Sequence, residues 1–143
     1  MRTLNPTLWR TCRVLSGPTR LAFLRQLHDH PGQSVSRLAQ AVHVGLSDAS
    51  QELRRLQSRG LLQVDRQGRF TVYRLGADPQ VPSAAPLLKA LKTCLAASPP
   101  EQDPSIIQIA TGLAHARRIA IAQTLIHSPC ALPALQSALL IRQ

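Results

Sequence analysis

Between Gly45 and Leu62 the sequence GLSDASQELRRLQSRGLL sets a glutamine, adjacent arginines and several serines among a few evenly spaced apolar residues. A helix advances about 100° per residue. With Leu53 at zero, Ala49 and Leu56 fall within about 60° of it and Leu46 is close by, which predicts an inward stripe. Ser47, Asp48, Gln51, Arg54, Arg55 and Ser58 then share the opposite face. Arginine offers a planar fork of donors that matches a phosphate or a guanine edge, and glutamine matches an adenine edge. Ser47 falls in the first turn, where free backbone N–H groups and a hydroxyl can meet a phosphate. Arg54 and Arg55 lie further along and are expected to touch phosphates rather than bases. Asp48 suits the helix dipole but repels a phosphate, unless it accepts from a cytosine amino group. The competing reading is an ordinary solvated face.

What decides between these readings is the set of elements around the helix. Asn5-Pro6 reads as a cap followed by proline at the first helical position, with Leu8, Cys12 and Leu15 on one face. Ser16-Gly17-Pro18 breaks this helix and starts a second, carrying Leu21, Leu24, Leu27 and His28, with Phe23 beside them. Ser34 is placed to cap a third, and Val44-Gly45 is expected to turn into the fourth. Gly60 suits the left-handed position that ends it. From Leu62 the period changes to two. Leu62, Val64 and Arg66, then Phe70, Val72 and Arg74, flank Gln67-Gly68, which reads as a hairpin. This order is that of a winged helix-turn-helix, whose second helix of the pair enters the major groove. Arg66 and Arg69 flank the hairpin turn, within reach of the adjacent minor groove or its phosphates.

Charge agrees with that order. The 143 residues carry a formal net charge of +10, and residues 1–75 hold twelve Arg against four acids. A cationic first half favours a polyanionic partner, nucleic acid first. The four aromatics Trp9, Phe23, Phe70 and Tyr73 lie there too, which predicts the better-packed core in that half. The seven acids are scattered and no Gly-rich phosphate loop occurs, so no enzyme is expected. The longest apolar stretch, Ile106 to Leu140, is interrupted by His115, Arg117, Arg118, His127 and Pro129, which argues against a membrane span. The N-terminus has no secretory pattern, so the cytoplasm is the expected compartment.

Residues 1–76 are read as a DNA-binding domain, and 77–104 as a linker with a dimerisation helix at 86–97. Residues 105–143 are read as a partial repeat of the N-terminal helices. PTRLAFLRQLHDHPG (18–32) aligns on ARRIAIAQTLIHSPC (116–130), and SVSRLAQAVHV (34–44) on ALPALQSALLI (131–141). Either this is duplication, or two amphipathic helix pairs look alike. The second copy stops before a recognition helix and wing. The fold class is therefore mainly α with a small β-hairpin: a winged helix-turn-helix, a helical linker, and a partial second helix-turn-helix-like repeat.

Residues 15–75 resemble the ArsR-type winged helix-turn-helix repressors. The resemblance rests on the Pro-Thr-Arg-Leu helix start, the Leu-x-x-Leu-x-x-x-Gly-Leu end of the reading helix and the Gly-Arg-x-x-x-Tyr-Arg-Leu wing. It implies a homodimer that pairs through helices 6–15 and 86–97 on a palindromic operator. Metal-sensing members carry Cys-Val-Cys where this chain has Ser34, Val35 and Ser36. The soft-metal thiolates are missing, so no metal site and no cofactor are expected. His28-Asp29-His30 reads as a packed histidine and a solvated helix end rather than a ligand set. Cys12 and Cys94 lie on the two helices expected to pair, and read either as core or as a redox pair. The function expected is a sequence-specific double-stranded DNA-binding regulator, a dimeric repressor reading the major groove with the helix near 46–59. The alternative is a protein–protein interaction module on a winged helix that no longer reads DNA.

Overall fold

The computed structural model describes residues 7–129 and 131–140. Helix α1 (Leu8–Leu15) follows Thr7, whose backbone is extended. Asn5 and Pro6, expected to open it, lie outside the described residues. Cys12 and Leu15 are buried, but Leu8 on the same predicted face is half exposed. Helix α2 (Pro18–Asp29) begins on its proline, where the missing N–H breaks no helical bond. Its Leu21, Phe23, Leu24 and Leu27 form the middle of the core.

A two-residue strand β1 (Gln33–Ser34) precedes α3 (Val35–Val42), and Ser34 caps that helix by accepting from the Arg37 N–H at 3.4 Å. Helix α4 (Leu46–Ser58), strand β2 (Leu62–Gln67) and strand β3 (Phe70–Leu75) complete the winged unit. The expected hairpin is part of a three-stranded antiparallel sheet, ordered β1-β3-β2, with Gln33 opposite Tyr73. Two residues are too few for a period of two to show, so the sequence carries no signal for β1. The bend before α4 also differs from expectation. The left-handed residue is His43 at φ 60°, while Gly45 is extended and serves as the N-cap of α4. Gly60 takes the predicted left-handed backbone at φ 75°. Its N–H bonds to the Gln57 carbonyl and the next N–H to that of Leu56, closing α4 as a Schellman motif.

Helix α5 (Ala84–Ala97) starts two residues before the expected 86. Its Leu88, Leu91 and Leu95 join the core of the winged unit. The second expected linker, 98–104, is largely ordered: a 3-10 turn (Pro100–Gln102) leads into α6 (Asp103–Leu113). The reason is an ion pair. Asp103 accepts from Arg25 Nη2 at 2.6 Å and Nε at 3.0 Å, while Arg25 Nη1 donates to the Leu95 carbonyl at 3.3 Å. One guanidinium thus ties α2 to the end of α5 and the start of α6. The carboxylate strengthens the hold of Arg25 on its proton, against the opposing effect of burial.

Helix α6 lies along α1 and α2, followed by α7 (Ala116–His127) and α8 (Leu132–Leu140). In the alignment of the two segments, α7 begins opposite the first residue of α2, and α8 opposite that of α3. Burial does not follow: Leu21, Leu24 and Leu27 are fully enclosed, whereas Leu125, opposite Leu27, is 42% exposed. Among the described residues no helix is long and apolar enough to cross a membrane.

Candidate nucleic-acid interface

Helix α4 packs on α2, α3 and β2 through Ala49, Leu53 and Leu56, none of which has measurable exposure. That stripe fixes the rotation of the helix. Ser47, Asp48, Gln51, Arg54, Arg55 and Ser58 are all exposed on the other side. Leu46 departs from expectation. It lies near the angle of the stripe but in the first turn, ahead of the core, and is 56% exposed.

The arginines are not equivalent. Arg55 Nη1 donates to Glu52 Oε1 at 2.9 Å, and Glu52 Oε2 is held by Arg20 from α2. Arg20 also donates to the Val14 carbonyl at the end of α1. Glu52 therefore links α4 to the scaffold and draws part of the Arg55 charge into the protein. Arg54 makes no ion pair among the described residues and is exposed. Ser58 is turned back, its hydroxyl donating to the Arg55 carbonyl at 2.7 Å. The sequence reading missed Arg20 and Glu52; Glu52 lies at neither the stripe nor its opposite, so one helix alone gave no signal for it.

In the wing, Gln67 pairs with Phe70 across a two-residue turn with Gly68 at φ 62°. Arg66 and Arg69 are exposed beside that turn. Arg74 is bound to Asp65 at 3.0 Å on the same sheet. Phe70 is 67% exposed, although the core lies in the half that holds the aromatics, as expected. The register explains it: Phe70 faces the same way as Gln67 and Val72, away from Tyr73 and the helices.

The remaining candidates are spread out. Ser34 and Val35 open α3, with the Ser34 oxygen engaged in capping. His28 Nδ1 lies 3.0 Å from Asp29 Oδ1, and His30 ends the helix. Cys12 is buried, which pushes its thiol above the ordinary range, and Cys94 is half-buried. Burial of this kind disfavours the thiolate needed for redox exchange. Cys130 lies outside the described residues.

Three helices, a helix presented on its polar side and a three-stranded wing define a winged helix-turn-helix. The curated HTH-type transcriptional regulator NmtR of Mycobacterium tuberculosis is 42% identical to this chain over 65 residues. The match covers 46% of this chain, which spans about half the length of that relative (53%). It agrees with the resemblance to helix-turn-helix regulators seen in the sequence. No family model matches the chain. Two solved structures from Mycobacterium bovis are also similar. One is the solution structure of a homodimeric winged helix-turn-helix DNA-binding domain of a possible ArsR-family transcriptional regulator. It is 26% identical with a TM-score of 0.48, covering 61% of this chain and 76% of that one. The other is a crystal structure of a possible transcriptional regulatory protein, 29% identical with a TM-score of 0.46, covering 62% and 89%.

Proposed function

We propose that this chain is a sequence-specific double-stranded DNA-binding transcriptional regulator, a dimeric repressor that lays α4 in the major groove. The observation that carries the reading is the outward side of α4, where Ser47, Asp48, Gln51, Arg54 and Arg55 are all solvent-facing while α6 packs on α1 and α2 instead. Gln51 is the base-reading residue in this account, and Arg54 contributes the larger share of phosphate attraction. Arg66 and Arg69 extend the contact from the wing. The likeness to a transcriptional regulator over 65 residues supports the same reading, which requires no catalysis. Dimerisation uses the outer side of α5 with exposed Leu8 of α1, because α6 already lies along α1 in the same chain.

Selection of bound sequences from random duplex DNA tests this. Recovery of a palindrome with half-sites about one helical turn apart is the expected result. No enrichment over the starting pool contradicts it. The interaction-module reading draws on Ile109, Ile126 and Leu132, each at least 65% exposed on α6–α8. It predicts that no sequence is enriched.

A further inference from the structure

The chain holds two lysines against fifteen arginines, and both lysines, Lys89 and Lys92, fall on α5. Both line an open cleft of about 400 Å³ between α5 and the segment that leaves β3. Gly76 and Ala77 contribute from that segment, and Ala85, Leu88 and Thr93 from the helix. The segment is fixed in place: the Gly76 N–H donates to the Leu61 carbonyl at 3.2 Å, and the Ala77 carbonyl accepts from Gln63 Nε2 at 3.0 Å. The Thr93 hydroxyl donates to the Lys89 carbonyl at 3.0 Å, which commits its proton and leaves the ammonium groups as the charged donors of the cleft. No carboxylate lines it, and neither lysine makes an ion pair among the described residues. With Leu88 at zero, Leu91 and Leu95 share the buried stripe of α5, Lys92 and Lys89 lie about 40° and about 100° to one side, and exposed Pro86 and Ala90 stand at the back. The lysine flank is therefore distinct from the outer side assigned to dimerisation.

We infer that this cleft binds a small organic anion, a carboxylate on a hydrocarbon body, with the carboxylate between Lys89 and Lys92 and the body over Ala77, Ala85 and Leu88. Like charges three residues apart on a helix repel one another, and an anion between them removes that cost. A lysine ammonium is a compact charge on a flexible stem, suited to a carboxylate whose position is set by its apolar body. The outward side of α4 and the wing carry arginine alone, so the two lysines mark a surface of different chemistry. The volume falls within the range of small-molecule sites, which pair an apolar lining with a few placed polar groups. This inference does not rest on the DNA-binding reading, and its test contains no DNA.

Calorimetric titration of the full chain with octanoate and with benzoate tests it, with octanol and inorganic phosphate as the uncharged and the bodiless probes. At least one carboxylate is expected to bind, more weakly as salt is added, and about tenfold or more tighter than octanol or phosphate. Lys89→Gln and Lys92→Gln should each weaken that binding about fivefold, the loss of one charge-assisted hydrogen bond. Ala85→Phe fills the cleft from an exposed position and should abolish binding, with an unchanged urea midpoint showing that the fold is kept. Arg117→Gln removes the same charge from exposed α7 and should leave binding as it is. Because the chain has two lysines, a second readout is direct: the bound carboxylate should slow acetylation of both Lys89 and Lys92, read by mass spectrometry. Binding of neither carboxylate overturns the inference. So does octanol binding as tightly, which would make the cleft merely apolar, or phosphate binding as tightly, which would make it merely cationic. An Arg117→Gln loss equal to that of the lysine variants overturns it too, since net charge rather than the cleft would then hold the anion.

Discussion

Helices α2 and α7 have the same length, begin at matching positions of an aligned pair of segments, and differ in what covers them. Leu21, Leu24 and Leu27 of α2 are enclosed by α3, α4, the sheet and α5. Helix α7 has no buried residue, and its Ile126 is 78% exposed. An apolar stripe shows where a helix would bury itself, not that a partner exists to complete the burial. In the first half, the recognition helix and wing supply the missing wall. They are therefore as much part of the core as of the polar surface proposed to meet DNA. Helix α7 lies against α1, α6 and α8, which leave it without a buried residue.

Truncating a leucine inside the wall exposes the difference between the two helices. Leu53→Ala on α4 should destabilise the winged half by about 3 kcal/mol, as for other enclosed leucines. Ile126→Ala on α7 should change stability by less than about 0.5 kcal/mol. Urea denaturation checks both, and similar costs would mean that α7 is covered in solution. Next in size is the link between the halves. Asp103→Asn leaves the buried Arg25 charge without its carboxylate, at a cost of about 2 kcal/mol once partial solvent access is allowed for. Faster tryptic cleavage after Arg117 and Arg118, with the winged half still protected, is the expected signature.

Gly60→Ala sharpens the same point at the end of α4. A Cβ there would fall 2.8 Å from that of Val81, on a backbone at φ 75°. The expected loss is about 2 kcal/mol, read from the thermal midpoint. Gly68→Ala has an equally left-handed backbone but open space around it, so about 1 kcal/mol is expected. The smallest effect concerns the thiols. In a Cys130→Ser background at neutral pH, iodoacetamide should modify Cys94 before Cys12, whose burial keeps it protonated. A thiol with a folded pKa above its unfolded value contributes stability below the unfolded pKa and loses it as pH rises through the folded one. Cys12→Ala should therefore flatten the alkaline end of the stability profile.

Much of the winged half was legible because its signals are local. Proline at the start of α2, Gly60 after α4 and the shift to period two at Leu62 each force a boundary. The outward set on α4 followed from helix rotation alone. What stayed hidden depends on contacts between distant residues. Strand β1 exists only because β3 lies beside it. Asp103 was read as linker because its partner, Arg25, is on another helix. The exposure of Phe70 was also hidden, because register across a two-residue turn decides which way it faces. His43 took the bend expected of Val44-Gly45, since the end of α3 rather than the glycine sets where the chain must reverse.

The proposed function requires the outward side of α4 to meet phosphate, with Arg54 the freer of its two arginines. The direct measurement is DNA affinity against salt concentration for wild type, Arg54→Ala, Arg55→Ala and the double variant. The log–log slope is expected to fall by about 0.9 for Arg54→Ala and by less for Arg55→Ala, which shares its charge with Glu52. Slopes that match wild type in all three variants would contradict it and take α4 out of the interface.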